Sequence, residues 1–256
     1  MSRLTKTRGI VVRHAAYSET SRIIQWITED HGKISTLAKG AMRPRNPLLG
    51  QFDQLYTCEL IYYAHERESV FITREVAPLS VRPRLRSDWR GTMAGLYMTD
   101  LVARIMPAHE PAPELFHLLE EALTCLDEHG WFLPVPMLFE LRLLSRLGLA
   151  PRLDRCALCD RTFENGDRAR FDVKQGGMVC RACRASGTFP EMGADVLAIL
   201  TLWQRSTGWT IARTSRCSPE QLASVRELLG EFLEYHLDLG PRSRDMTMGL
   251  LFQTKS

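Results

Sequence analysis

The chain has 256 residues, 45% of them hydrophobic and 25% charged, with a formal net charge of +3. This composition is ordinary for a folded globular protein and excludes a chain that is disordered throughout. The longest apolar stretch, residues 91–107, carries Asp100 and Arg104, and Ile10–Val12 is too short for a secretory leader, so a soluble cytoplasmic protein is expected.

The first 80 residues read as strands. Residues 9–14, 22–28 and 34–40 are short, β-branched and apolar. A polar loop (15–21) separates the first two, and a tight turn using Gly32 separates the second and third. Longer strands are expected over 52–64 and 69–79. No crossover helix is long enough for a parallel sheet, which predicts a small antiparallel barrel. Five strands suit an OB-fold, and an SH3-like barrel has similar statistics.

Beyond residue 88 the period becomes helical. Leu96, Met98, Leu101, Val102, Ile105 and Met106 form one stripe that Pro107 ends. A second helix starts near Pro113 and stops at Gly130, and a third covers 135–149. A fourth is expected over Met192–Gln204. The fifth opens at Ser218, where Pro219 suits the first helical position and Gln221 completes a capping box. The fold class expected is α+β. A barrel over 1–82 precedes a helical domain formed by 83–151 and 188–256, with a cysteine-rich insert at 152–187.

In that insert Cys156-x2-Cys159 is followed after twenty residues by Cys180-x2-Cys183, the spacing of a four-thiolate zinc site. Iron in a rubredoxin-like site is the alternative metal. Four thiolates close the coordination shell, so the expected Zn2+ is structural, one per chain. Arg161, Arg168, Arg170, Lys174, Arg181 and Arg184 leave open a finger that touches DNA. Cys58, Cys125 and Cys217 stand alone and read as buried thiols. A disulfide framework is not expected in the cytosol.

No enzyme signature emerges. Residues 31–36 invite comparison with a phosphate-binding loop, but Ile34 stands where Ser or Thr is needed and Ile27 where the first glycine should be. The seven histidines lack metal or triad spacing. Charge is uneven: residues 1–85 hold thirteen Lys/Arg against eight Asp/Glu, whereas residues 86–150 hold five against nine. The basic excess points to a polyanion surface on the barrel. Lys39, Arg43 and Arg45 occupy a loop leaving a strand, and Arg13, Arg22 and Lys33 could face the same way. Tyr17, in a polar loop, is the candidate for stacking on a base, whereas alternation places Trp26 in the core.

Residues 9–46 closely resemble the opening of RecO, a family of bacterial recombination mediators. Residues 138–159, a helix running into the first thiol pair, resemble the same family, in the right order about 100 residues later. The resemblance spans most of the chain and weakens after about residue 190. It implies an N-terminal OB-fold, a helical domain and a zinc segment, and no enzymatic activity. It implies binding of single-stranded DNA and annealing of complementary strands at the nucleoid. Partnership with RecR and single-stranded DNA-binding protein in loading RecA, with RecF in the same pathway, is implied as well; duplex DNA is a further expected ligand. Met42 departs from the family's loop, which often carries another basic residue there. The rival readings are a zinc-containing regulator that reads duplex DNA, a Mg2+ nuclease built from scattered carboxylates, and a thiol redox sensor.

Overall fold

The computed structural model describes residues 3–64, 69–163, 169–183, 192–239 and 242–253. Arg168, Arg184 and the turn expected at Gly166 lie outside the described residues. The chain divides into two compact units, Met1–Trp131 and Phe132–Ser256.

The first unit opens with five strands: β1 (Arg3–Ala16), β2 (Arg22–Thr28), β3 (Gly32–Ala38), β4 (Thr57–Ala64) and β5 (Phe71–Ser80). They pair in the closed order β1-β2-β3-β5-β4. The expectation of an all-antiparallel sheet is corrected at one seam: β3 and β5 run parallel, Thr36 beside Phe71 and Leu37 beside Ile72. Five strands in a ring cannot alternate direction at every step, so one neighbouring pair has to be parallel.

Alternation decides which side chains fill the barrel. Ile24 and Trp26 on β2, Ile34, Thr36 and Ala38 on β3, and Leu60 and Tyr62 on β4 are all buried. The Trp26 indole is fully buried and donates from Nε1 to Thr36 Oγ1 at 2.9 Å, and that oxygen accepts from Thr73 Oγ1 at 2.8 Å. A polar thread thereby crosses β2, β3 and β5 with its indole donor satisfied. Gly32 makes the β2–β3 turn at φ +62°, and a Cβ there would lie 2.1 Å from the Glu110 carbonyl oxygen. Both facts require glycine.

Helices α1 (Pro83–Ser87), α2 (Trp89–Ile105) and α3 (Pro113–His129) complete the first unit. By compactness, then, helical segments fall in both units, whereas one helical domain was expected from the sequence. Pro113 sits in the first turn of α3 and Gly130 ends it at φ +82°. Arg82 precedes α1 in the left-handed region at φ 49° and is 1% exposed. Its guanidinium donates to the Leu55 carbonyl and, at 2.8 Å, to Thr57 Oγ1, which ties the start of β4 to the helices.

The second unit holds α4 (Pro134–Arg146), the hairpin β6 (Ala169–Asp172) and β7 (Gly177–Cys180), and helices α5 (Ala194–Arg205), α6 (Thr210–Thr214), α7 (Pro219–Leu237) and α8 (Arg242–Phe252). The capping box at α7 forms as its residues predict. Ser218 Oγ accepts from the Gln221 N–H at 3.2 Å, and Gln221 Oε1 accepts from the Ser218 N–H at 2.8 Å. Glu140, fully buried on α4, accepts two 2.8 Å bonds from the Arg244 guanidinium on α8, which also donates to the Arg226 carbonyl.

Candidate nucleic-acid interface and metal centre

One end of the barrel gathers most of the expected cations. The loop after β3 is anchored by Ala41 and Leu48, both buried in the barrel core, while Met42, Arg43 and Arg45 between them, and Lys39 just before them, are exposed. Its backbone is tied internally by Arg43 N–H to Gly40 O and by Asn46 N–H to Arg43 O, with Arg45 in the left-handed region at φ 71°. Two bonds join it to the loop before β2: the Gly40 N–H donates to Ser21 Oγ at 3.1 Å and the Met42 N–H to Thr20 O at 2.9 Å. The basic loop is therefore held in place before any ligand arrives.

Lys39, Arg43, Arg45 and Arg13 have no ion-pair partner among the described residues. Arg13 is exposed on β1 opposite Gln25. Arg22 is half-buried beside Ala38, and its Nη1 donates to the carbonyls of Ser18 (3.3 Å) and Ser21 (3.1 Å), bracing the neighbouring loop. Tyr17 stands on that loop with 63% of its surface exposed.

Lys33 is not brought to this group. It is the second residue of β3, six residues and roughly 20 Å of strand from Lys39. Its ammonium donates to the Ala103 carbonyl at 2.6 Å, so it is engaged with α2. Nothing in the sequence signalled that contact, which joins residues 70 positions apart. The structure adds one arginine contact that sequence reasoning passed over. Arg86 pairs with Asp53, donates to Tyr56 Oη at 2.8 Å and lies 4.8 Å from that ring's centroid. Its charge is already answered by Asp53, so it is a brace for the barrel's long loop.

In the second unit the four cysteine sulfurs converge, all within 4.8 Å of one another. Two turns aim them. The first closes through the Asp160 N–H donating to the Cys156 carbonyl at 2.9 Å, with Asp160 at φ 62°. The second leaves β7 at Cys180 and runs through the single 3-10 turn Arg181–Cys183. A tetrahedral ion with metal–sulfur bonds of about 2.3 Å sets its ligands about 3.8 Å apart. The Cys159 and Cys180 sulfurs lie at 3.8 Å, so the quartet can hold a metal ion.

The local fields suit thiolates. Burial works against ionising Cys156, but N–H groups of Cys180, Cys159 and Leu158 outweigh it and bring the thiol down to about 6. Hydrogen bonding from the Cys183 backbone lowers Cys180 as well. Cys183 is pushed up to about 12, chiefly because Cys159 and Cys180 share hydrogen bonds with its thiol. A cation bound there would displace the remaining thiol protons. The hairpin is fastened to α7 by the Phe171–Phe232 ring contact (5.8 Å) and by His236 Nε2 at 2.8 Å from the Val173 carbonyl oxygen.

Comparison with known proteins joins these two sites to one lineage. Residues 1–79 match the family model described as Recombination protein O N terminal, and residues 86–245 match Recombination protein O C terminal. The chain belongs to the RecO family. It is 33% identical to the DNA repair protein RecO of Myxococcus xanthus (strain DK1622) over 241 residues, covering 93% of this chain and 94% of that one. It is 29% identical to the DNA repair protein RecO of Moorella thermoacetica over 249 residues, 95% and 90% of the two chains. A third relative, the DNA repair protein RecO of Anaeromyxobacter sp. (strain K), is 30% identical over 235 residues. RecO proteins are non-catalytic mediators of DNA repair and recombination, and this chain carries that general function. Among the described residues no helix is long and apolar enough to cross a membrane.

Proposed function

We propose that the chain binds single-stranded DNA at the basic end of its barrel and anneals complementary strands. With RecR it helps load RecA onto DNA coated by single-stranded DNA-binding protein, RecF acting in the same pathway at the nucleoid. The observation that carries this reading is the group of exposed cations Lys39, Arg43 and Arg45, without ion-pair partners among the described residues, on a loop whose backbone is already fixed. Such cations neutralise phosphates and release their counterions, a sequence-independent source of affinity that serves duplex DNA as well. Arg13 extends the track along the sheet, and Arg22 braces the loop beside it. Lys33 contributes to the barrel's contact with α2 instead.

The strand order, with β1 closing on β4, supports an OB-fold over residues 1–82. Residues 152–187 are read as an insert in a helical domain made of 83–151 and 188–256, and its metal as Zn2+: the donor set is four thiolates and the sulfur spacing fits zinc. Bound there, the ion supplies folding free energy to a small hairpin and leaves no position for a substrate.

The test is a fluorescence annealing assay with complementary strands, naked and coated with single-stranded DNA-binding protein, with and without RecR. The expected result is acceleration of pairing on both substrates, with RecR promoting loading on the coated strand. A folded, metal-loaded protein that leaves annealing at its spontaneous rate would overturn the reading.

A further inference from the structure

The outer face of β1–β2–β3 has an unusual composition for a surface that holds single strands. Paired residues share a face, so the register defines its rows. One row is Arg13, Gln25 and Ser35; the next is Ala15, Ile23 and Leu37. All six side chains are exposed or half-exposed. None is aromatic. The rings nearest in sequence point the other way: Trp26, Phe52, Tyr62 and Phe71 are buried in the barrel core. On this face and the two loops above it, Tyr17 is the one exposed ring among the described residues. The same region carries four cations with no ion-pair partner among the described residues, Arg13, Lys39, Arg43 and Arg45.

Surfaces that hold bases do so by stacking them on successive aromatic rings. Here the charge for a phosphate track is present and the row of rings is missing. We infer that the bound strand lies with its phosphates on the basic loop and β1, at most one base stacked on Tyr17, and its remaining bases turned to solvent. The inference rests on the DNA-binding reading above and adds the orientation of the strand. Its functional consequence is direct. A strand held by its backbone presents its pairing edges to solution, so a complementary strand pairs with it without first displacing the protein.

The experiment compares affinities of the full-length protein for a thymidine strand and an abasic strand of equal phosphate count, about 16. The variant is Tyr17→Ala, whose backbone bond to Ser21 is retained. The expected result is that Tyr17→Ala prefers the thymidine strand by less than about 5-fold, the smallest worth of one stacked base. A larger preference means further base contacts and overturns the inference. Permanganate footprinting gives a second reading: thymines in the wild-type complex should oxidise as fast as free ones, with protection of no more than one per protein. Protection of a run of thymines overturns the proposed orientation. Failure to bind either strand would instead sink the DNA-binding reading itself, and the inference with it.

Discussion

Replacing Lys39, Arg43 and Arg45 together by Ala should change the salt dependence of DNA binding by a calculable amount. Each phosphate neutralised on a single strand contributes about −0.7 to the slope of log K against log salt. With Arg13 the wild type neutralises about four phosphates, giving a slope near −2.8 and a loss of about 50-fold in affinity between ~50 and ~200 mM salt. The triple variant retains one of the four, so its slope should be near −0.7 and its loss over the same range about 2.6-fold. The side chains are exposed and make no ion pair among the described residues, and the loop is anchored by Ala41 and Leu48. Stability should therefore stay within about 0.5 kcal/mol per site. Fluorescence anisotropy with a labelled oligothymidine at four or five salt concentrations measures the slope, and thermal unfolding verifies the fold. A folded triple variant with the wild-type slope would refute the assignment of phosphate contacts to this loop.

Met42→Lys places a cation where the loop has an exposed methionine, so the slope should steepen by about 0.7, measured in the same titration. Glu140→Gln leaves the Arg244 guanidinium buried without its counter-charge and should cost about 3–5 kcal/mol by denaturant unfolding. Substituting both partners with apolar residues of similar volume should recover most of that loss. Chelation should release one equivalent of zinc per chain and remove hydrogen-exchange protection from the β6–β7 hairpin while leaving the barrel protected; an unaltered hairpin would count against a structural metal.

Local chemistry determined a good deal of this protein from sequence alone. Short β-branched apolar runs bounded by turns located the barrel strands, and alternation put Trp26 inside, because successive strand side chains point to opposite faces. Ser218 and Gln221 announced the start of α7, because a cap satisfies N–H groups only three residues away. The two Cys-x2-Cys pairs announced a metal site, since each pair is its own turn and the ion alone must join them. Lys39, Arg43 and Arg45 were visible for the same reason: a short loop keeps its residues together whatever the rest of the chain does. Only the tertiary structure decided what depends on distant partners. Closing a ring of five strands made β3 and β5 parallel. Packing of α2 on the barrel unit drew Lys33 to the Ala103 carbonyl, removing it from the group it seemed to join. The Glu140–Arg244 pair spans 104 positions and has no local signature in either helix. The short helices α1 and α6 lack enough residues for a helical period to register. The outward face of β1–β2–β3, on which the orientation of the bound strand depends, exists only once the register sets Ile23 beside Leu37 and Arg13 beside Gln25. Residue identity carries local conformation and the chemistry of each group; which groups meet is settled by where the strands and helices can bury their apolar sides.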